Sequence, residues 1–170
     1  MSERGFTLVE VMVVIVVMGI VAGLLIMQLS GGDRRQAMQA REILIFDLKQ
    51  MSHLANEQAQ VLALELNTHS NATNYQVMQY QAQATELSAK WQKLNVFVPK
   101  TLPNAMRLEV TTLVHDYANA SNRELLAEQA PKLMWLGNGE AKPARIRVYF
   151  QEQPLGRDIE IDYLGKVHEN

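Results

Sequence analysis

An α+β fold is predicted, with one long N-terminal helix followed by a mostly antiparallel β domain. Three observations predict it. Val11 to Met27 carries no polar side chain, and Glu10 is the single charged residue between Phe6 and Ser30. From Arg34 to about Ala59, apolar residues recur every three or four positions, the period of an amphipathic helix. Beyond residue 60 the period falls to two, the alternation of half-buried strands.

Residues 6–30 form the first part of the helix. A bilayer span takes roughly 20 apolar residues at about 1.5 Å rise each, and Phe6–Met27 is long enough. The glutamate near its start is what a plain anchor leaves unexplained. A charge at the centre of a membrane helix costs roughly 2.5–3.5 kcal/mol, so a carboxylate there is read as functional by default. Gly19 and Gly23 give a small-xxx-small pattern through which helices can approach closely. Gly31-Gly32-Asp33 then marks a joint or a helix restart with Asp33 as N-cap.

Residues 31–59 continue as an amphipathic helix. Ala37, Ala40, Leu44, Leu48, Met51 and Ala55 form one stripe, with Arg41, Glu42, Lys49, Gln50 and Glu57 mostly off it. Ile45 and Phe46 widen the apolar face. Residues 60–170 form the β-rich domain. Val61–Leu66 reads as a strand, Asn67–Asn74 as a loop, Tyr75–Gln83 as the returning strand, and Trp91–Val98 as an extended segment ended by prolines. Met106, Leu108 and Val110 alternate with Arg107, Glu109 and Thr111. Ser121–Glu124 has the spacing of a capping box. Leu133–Leu136 and Ala144–Phe150 read as a strand pair linked through Gly137-Asn138-Gly139, where Asn-Gly suits a tight hairpin. Asp158–Leu164 is the final strand, and Trp91 and Trp135 are core residues.

Composition narrows the function classes. The 170 residues hold 16 Lys and Arg against 18 Asp and Glu, a formal net charge of -2, and no cysteine. There is no basic excess pointing to nucleic acid, and no disulfide or thiol chemistry. About 140 residues follow the apolar run, enough for one domain with its own core. Arg4 gives the short N-terminal side a weak positive bias, consistent with a cytoplasmic N-terminus and an exported C-terminal domain. Ser30-Gly31-Gly32 offers a small-x-small secretory cleavage site, but the apolar run is long for a signal peptide.

Gly5-Phe6-Thr7-Leu8-Val9-Glu10 and the run behind it resemble the processing signature of type IV pilin-like proteins. The resemblance implies that residues 1–5 are a prepilin leader removed by a prepilin peptidase between Gly5 and Phe6. Phe6 would then be N-methylated, and Glu10, the fifth mature residue, used in filament assembly. A terminal amine at Phe6 and a carboxylate at Glu10 are each expensive in a low-dielectric setting and cheaper paired. They stand at i and i+4 within one helix. In a bundle, the amine of one subunit would instead meet Glu10 of its neighbour and fix the axial stagger. The simpler alternative is that Glu10 complements the positive end of the helix dipole.

The second half, with Pro131–Glu140 and Ile159–Val167, resembles the minor pseudopilin H family of type II secretion systems and related minor type IV pilins. That resemblance implies two β-sheets packed with the helix. It also implies a low-abundance structural subunit of a pseudopilus that helps export folded proteins across the outer membrane. The partners implied are other pseudopilins, major and minor, the prepilin peptidase, the inner-membrane secretion platform and the lipid bilayer. The location implied is the inner membrane, single-pass, with a periplasmic C-terminal domain. The other readings are a minor pilin of a type IV pilus with a role in DNA uptake, and a membrane-anchored periplasmic binding or enzymatic domain.

No catalytic group, metal site or cofactor site is expected. His53, His69, His115 and His168 are isolated and lack metal-ligand spacing. No phosphate loop, dinucleotide fingerprint or nucleophile motif is present. Asp158, Glu160 and Asp162 alternate on one strand face, which is read as a solvated face. A regular strand cannot wrap the roughly six to eight oxygens that calcium takes. Arg145, Arg147 and Tyr149 share a face near Arg157 and would suit phosphates, but the acidic residues around them predict a salt-bridged surface.

Overall fold

The computed structural model describes residues 7–69, 72–84, 90–113 and 130–170, with side chains described for these except 25–31, 69 and 72. The chain divides into two compact units, Met1–Gln36 and Ala37–Asn170. Helix α1 (Leu8–Gln58) contributes to both. The predicted helix start at Ser121–Glu124 lies outside the described residues.

In the second unit, the apolar stripe of α1 is the centre of the core. Ala37, Leu44, Leu48, Met51 and Ala55 are buried, and Ala40 is partly buried against them. Successive helical residues lie about 100° apart, which separates the two residues expected to widen the face together. Ile45 falls inside the apolar arc and is buried, whereas Phe46 lies on the far side and is 63% exposed.

The first sheet has the order β3-β2-β1-β6, with β4 also pairing β2. Its strands are β1 (Leu62–His69), β2 (Ala72–Tyr80), β3 (Trp91–Lys93), β4 (Lys100–Thr101) and β6 (Leu133–Trp135). The second has the order β10-β9-β7-β5, with β8 pairing β7. It is built from β5 (Met106–Thr112), β7 (Ala144–Phe150), β8 (Gln153–Pro154), β9 (Ile159–Ile161) and β10 (Val167–Glu169). Every pairing between these strands is antiparallel. Leu62, Leu64, Tyr75 and Val77 from the first sheet meet Ile146, Val148, Ile159 and Ile161 from the second in one core with α1. Truncating one such Leu or Ile to Ala costs about 2–5 kcal/mol.

Further local readings of the sequence differ from the fold. Gly31-Gly32-Asp33 is neither a joint nor a helix start, since α1 runs from Leu8 to Gln58 through it. The polar stretch Asn67–Asn74 is largely strand: β1 and β2 pair through Asn67↔Asn74, Thr68↔Thr73 and His69↔Ala72. Backbone pairing continues there although the side chains are polar, and Thr73 is itself buried. Of Trp91–Val98, Trp91–Lys93 alone is strand. Leu133–Leu136 and Ala144–Phe150 do not pair: β6 pairs β1, whereas β7 joins the second sheet. Gly137-Asn138-Gly139 closes a small turn in which the Leu136 N–H donates to Glu140 O at 2.8 Å and the Lys142 N–H to Met134 O at 2.9 Å. The chain then crosses to the other sheet. Of Asp158–Leu164, Ile159–Ile161 alone is strand, and a further strand, Val167–Glu169, follows it. Asp162 Oδ1 accepts the N–H groups of Leu164 and Lys166, each at 2.9 Å. Such a side-chain turn ends β9 and lets β10 return beside it.

Trp135 is buried, and its Nε1 donates to Gly165 O at 3.3 Å. Trp91 is half-buried and packs edge-on against Tyr80, ring centroids 5.3 Å apart, in a satellite cluster with Ala63 and Met134.

Two charged residues of α1 are buried, which the sequence pattern did not reveal. Arg41, 2% exposed, donates from Nη2 to Arg157 O at 2.7 Å and to Glu169 Oε2 at 2.9 Å. Asp47, 3% exposed, accepts from the Tyr75 hydroxyl at 2.7 Å and from Lys100 Nζ at 2.8 and 2.7 Å. One charge thus fastens the helix to the second sheet and the other to the first. Tyr75 and Lys100 face each other across β2 and β4, so a single ladder position supplies both partners of Asp47.

Candidate assembly site

The first unit begins with a helix start written in the motif itself. Thr7 precedes the first helical residue, and its Oγ1 accepts the Glu10 N–H at 3.3 Å. Thr7 O accepts the N–H groups of Glu10 at 3.0 Å and Val11 at 3.3 Å. Thr at the N-cap with Glu three residues on is the spacing of a capping box. Thr7 was therefore legible from its spacing to Glu10 and was missed. Glu10 lies exposed in the first turn, where a carboxylate complements the helix dipole.

Around Glu10 the helix is apolar on every side. Leu8, Val9, Val11, Met12, Val13, Val14 and the apolar residues that follow to Leu24 are all exposed. A helix apolar all round is stable in water only when covered, by lipid or by other helices. A Cβ added to Gly19 or Gly23 would meet nothing within 4 Å, so both positions stay open for close approach by another helix. Among the described residues, no helix is long and apolar enough to cross a membrane. The described side chains of the apolar run stop at Leu24. Gly5 and Phe6 lie outside the described residues, so the geometry bears on Glu10 alone among the three expected site residues.

The other charged constellation resolves into ion pairs. Arg145 Nε donates to Glu160 Oε1 at 2.7 Å, and Arg147 Nε to Asp158 Oδ2 at 3.0 Å. The basic and acidic faces read separately in the sequence are thus one neutralised surface on adjacent strands. Asp162 turns its Oδ2 to His168 Nε2 at 2.9 Å. Burial pushes the Asp162 carboxyl up, but the contacts with His168, Lys166 and Leu164 outweigh it and hold the group below its ordinary range. His53 pairs with Glu57 at 3.3 Å. Among the described residues, no group of three or more His, Cys, Asp or Glu is placed to hold a metal ion.

Residues 1–26 match the family described as the prokaryotic N-terminal methylation motif. Over almost its full length the chain is similar to curated relatives. The type II secretion system protein H of Pectobacterium carotovorum subsp. carotovorum is 26% identical, the match covering 97% of this chain and 91% of the relative. The protein of the same description from Dickeya chrysanthemi is 26% identical over 99% and 95%. Among solved structures, the minor pseudopilin EpsH of the Vibrio cholerae type II secretion system superposes with a TM-score of 0.58 at 16% identity. That match covers 80% of this chain and 94% of the other. The chain carries the N-terminal methylation motif and shares the fold of the solved minor pseudopilin. The matched motif contains Gly5, Phe6, Thr7 and Glu10 together.

Proposed function

We propose that this chain is a minor pseudopilin, a low-abundance structural subunit of a type II secretion pseudopilus that helps export folded proteins across the outer membrane. The observation that carries the reading is similarity to type II secretion protein H relatives over 97% and 99% of the chain, joined to the same fold. The two units fit the division of labour this role requires. The β domain buries its own core, while the N-terminal helix leaves its apolar side chains without cover.

In this reading the prepilin peptidase cleaves between Gly5 and Phe6, and the new Phe6 amine is methylated. Residues 6–30 anchor the chain in the inner membrane, single-pass, with the β domain in the periplasm. Extension is driven by a cytoplasmic ATPase acting through the inner-membrane platform. Major and minor pseudopilins then bundle through their N-terminal helices. Glu10 supplies the specificity of that bundling. A lone carboxylate in hydrocarbon costs roughly 2.5–3.5 kcal/mol, and pairing with the Phe6 amine of a neighbour offsets that cost in one axial register. The subunit performs no bond chemistry of its own.

Glu10→Leu is therefore expected to insert into the membrane but drop out of pseudopili, measured by fractionating sheared filaments from cells carrying the complete secretion system. Normal incorporation of that variant would overturn the assembly role. Mass analysis of the chain from its native membrane should find a mature N-terminus at methylated Phe6. A chain starting at Met1, or beyond Ser30, would overturn the processing.

A further inference from the structure

We infer that β5 is a docking edge for a second copy of this chain, pairing antiparallel with its own β5 about a two-fold axis at Leu108. The strand ends its sheet in the described fold, paired with β7 on one side and with no strand on the other. It pairs with β7 in unbroken register from Met106↔Phe150 to Thr112↔Ala144, without a bulge or proline. Natural edge strands are usually blunted by such devices, and a flat edge without them is a template for another strand.

The backbone groups that β7 leaves unpaired among the described residues can be assigned. Leu113 N–H donates to Pro143 O, and Ala105 O accepts from Gln151 N–H, both at 3.0 Å. Backbone groups alternate sides along an antiparallel strand. Hence Arg107, Glu109 and Thr111 bond toward β7, and Leu108, Val110 and Thr112 present theirs to the open side. A second β5 centred on Leu108 would exchange hydrogen bonds at Leu108 with its counterpart and pair Val110 with Met106.

Charge selects this register. With Leu108 opposite Leu108, Arg107 stands opposite Glu109 of the second copy, and Glu109 opposite its Arg107. Directly opposed side chains sit with Cβ atoms about 4.5–5.5 Å apart, where opposite charges attract and like charges repel. Centring on Glu109 would oppose two carboxylates, and centring on Val110 would leave both charges unmatched. Arg107 and Glu109 are both exposed on the outer face. In the single chain the Arg107 guanidinium lies over the Tyr149 ring of β7 at 4.6 Å and 3.6 Å from Glu152, contacts it exchanges for Glu109 of the second copy on docking. Beneath the same edge lies a cleft of about 400 Å³ lined by Leu64, Leu66, Leu108, Val110, Leu133 and Lys132. A strand added beside β5 would lay its inward-facing Met106, Leu108 and Val110 alongside that cleft. The interface is isologous, each copy offering the same patch.

The test is light scattering coupled to size-exclusion chromatography of the full chain in detergent micelles. The unmodified chain should dimerise at micromolar concentration. Arg107→Glu and Glu109→Arg should each weaken the dimer at least about tenfold, the scale of a 1.4 kcal/mol change. A mixture of the two should re-form it, and the double reversal R107E/E109R should restore it. Circular dichroism would verify that the variants are folded, as expected for exposed positions. A monomeric unmodified chain, a dimer indifferent to Arg107→Glu, or a double reversal that stays monomeric would each overturn the inference. A dimer held through α1 alone would give the second of these results.

Discussion

Gly137→Ala is expected to destabilise the β domain by about 3–5 kcal/mol, through a left-handed backbone that Ala tolerates poorly and a collision that cannot relax. Gly137 has φ 75°. A Cβ built there would lie 2.6 Å from Gln60 N, 2.7 Å from Ala59 C and 2.8 Å from Gln60 O. These are backbone atoms just past the end of α1, so no side chain can swing aside. Two turns rest on each other at this point, one leaving the helix and one leaving β6. Gly139 provides an internal control. Its φ is 90°, yet a Cβ would meet only Asn56 Oδ1, at 3.7 Å, an ordinary contact. Gly139→Ala carries the strain without the collision and should cost about 1–2 kcal/mol. Urea unfolding of both variants, followed by tryptophan fluorescence, gives the comparison directly. Equal losses at the two glycines would refute the account.

How much of this molecule could be read from its residues depends on which force sets each feature. Burial of apolar area is periodic, so the stripe Ala37–Ala55 and the alternation in Met106–Thr112 were legible and fold as read. The motif at residues 5–10 was legible because its pattern of residue types is specific, although the capping role of Thr7 went unread beside the charge of Glu10. Strand partners were not legible. Nothing in Leu133–Leu136 or Ala144–Phe150 encodes that Lys142 and Pro143 carry the chain to the other sheet, because pairing is settled by long-range packing. The buried charges were hidden for a related reason. Arg41 and Asp47 look solvent-facing in a helical pattern, yet both are buried against partners more than 25 residues away in sequence. A pattern built on hydropathy scores the cost of a buried charge and is blind to its partner.

Those two anchors also bear on function. In the proposed role, a subunit pulled by its helix during filament extension would transmit force to its β domain through contacts between α1 and the sheets. The apolar stripe resists separation but is non-directional, whereas the Arg41 and Asp47 bonds fix the helix against sliding and rotation. Arg41 is further confined by Gly156, where a Cβ would come within 2.7 Å of its Nε. The glycine leaves room for the guanidinium to reach Glu169 near the chain end.

Lys100→Met should accordingly cost more than its half-exposed position suggests, about 2–4 kcal/mol, because it strands Asp47 in the core with Tyr75 as its one remaining partner among the described residues. Removing one member of a buried charge set is worse than removing all of it. The triple replacement of Asp47 by Leu, Tyr75 by Phe and Lys100 by Met should therefore be less destabilising than Lys100→Met alone. Tyr75 adds a dependence on pH. Burial first, then the hydrogen bond to Asp47 and the charge of that carboxylate, hold its hydroxyl well above the ordinary value of about 10. A group raised in this way gives stability that is fully present below the unfolded value and lost as pH climbs above it. The unmodified domain should thus lose stability progressively above about pH 10, and Tyr75→Phe should flatten that decline while lowering stability at neutral pH. Urea midpoints at unchanged m-value measure both effects. A Lys100→Met variant within about 0.5 kcal/mol of the unmodified chain would show that the anchor contributes nothing beyond an ordinary surface pair.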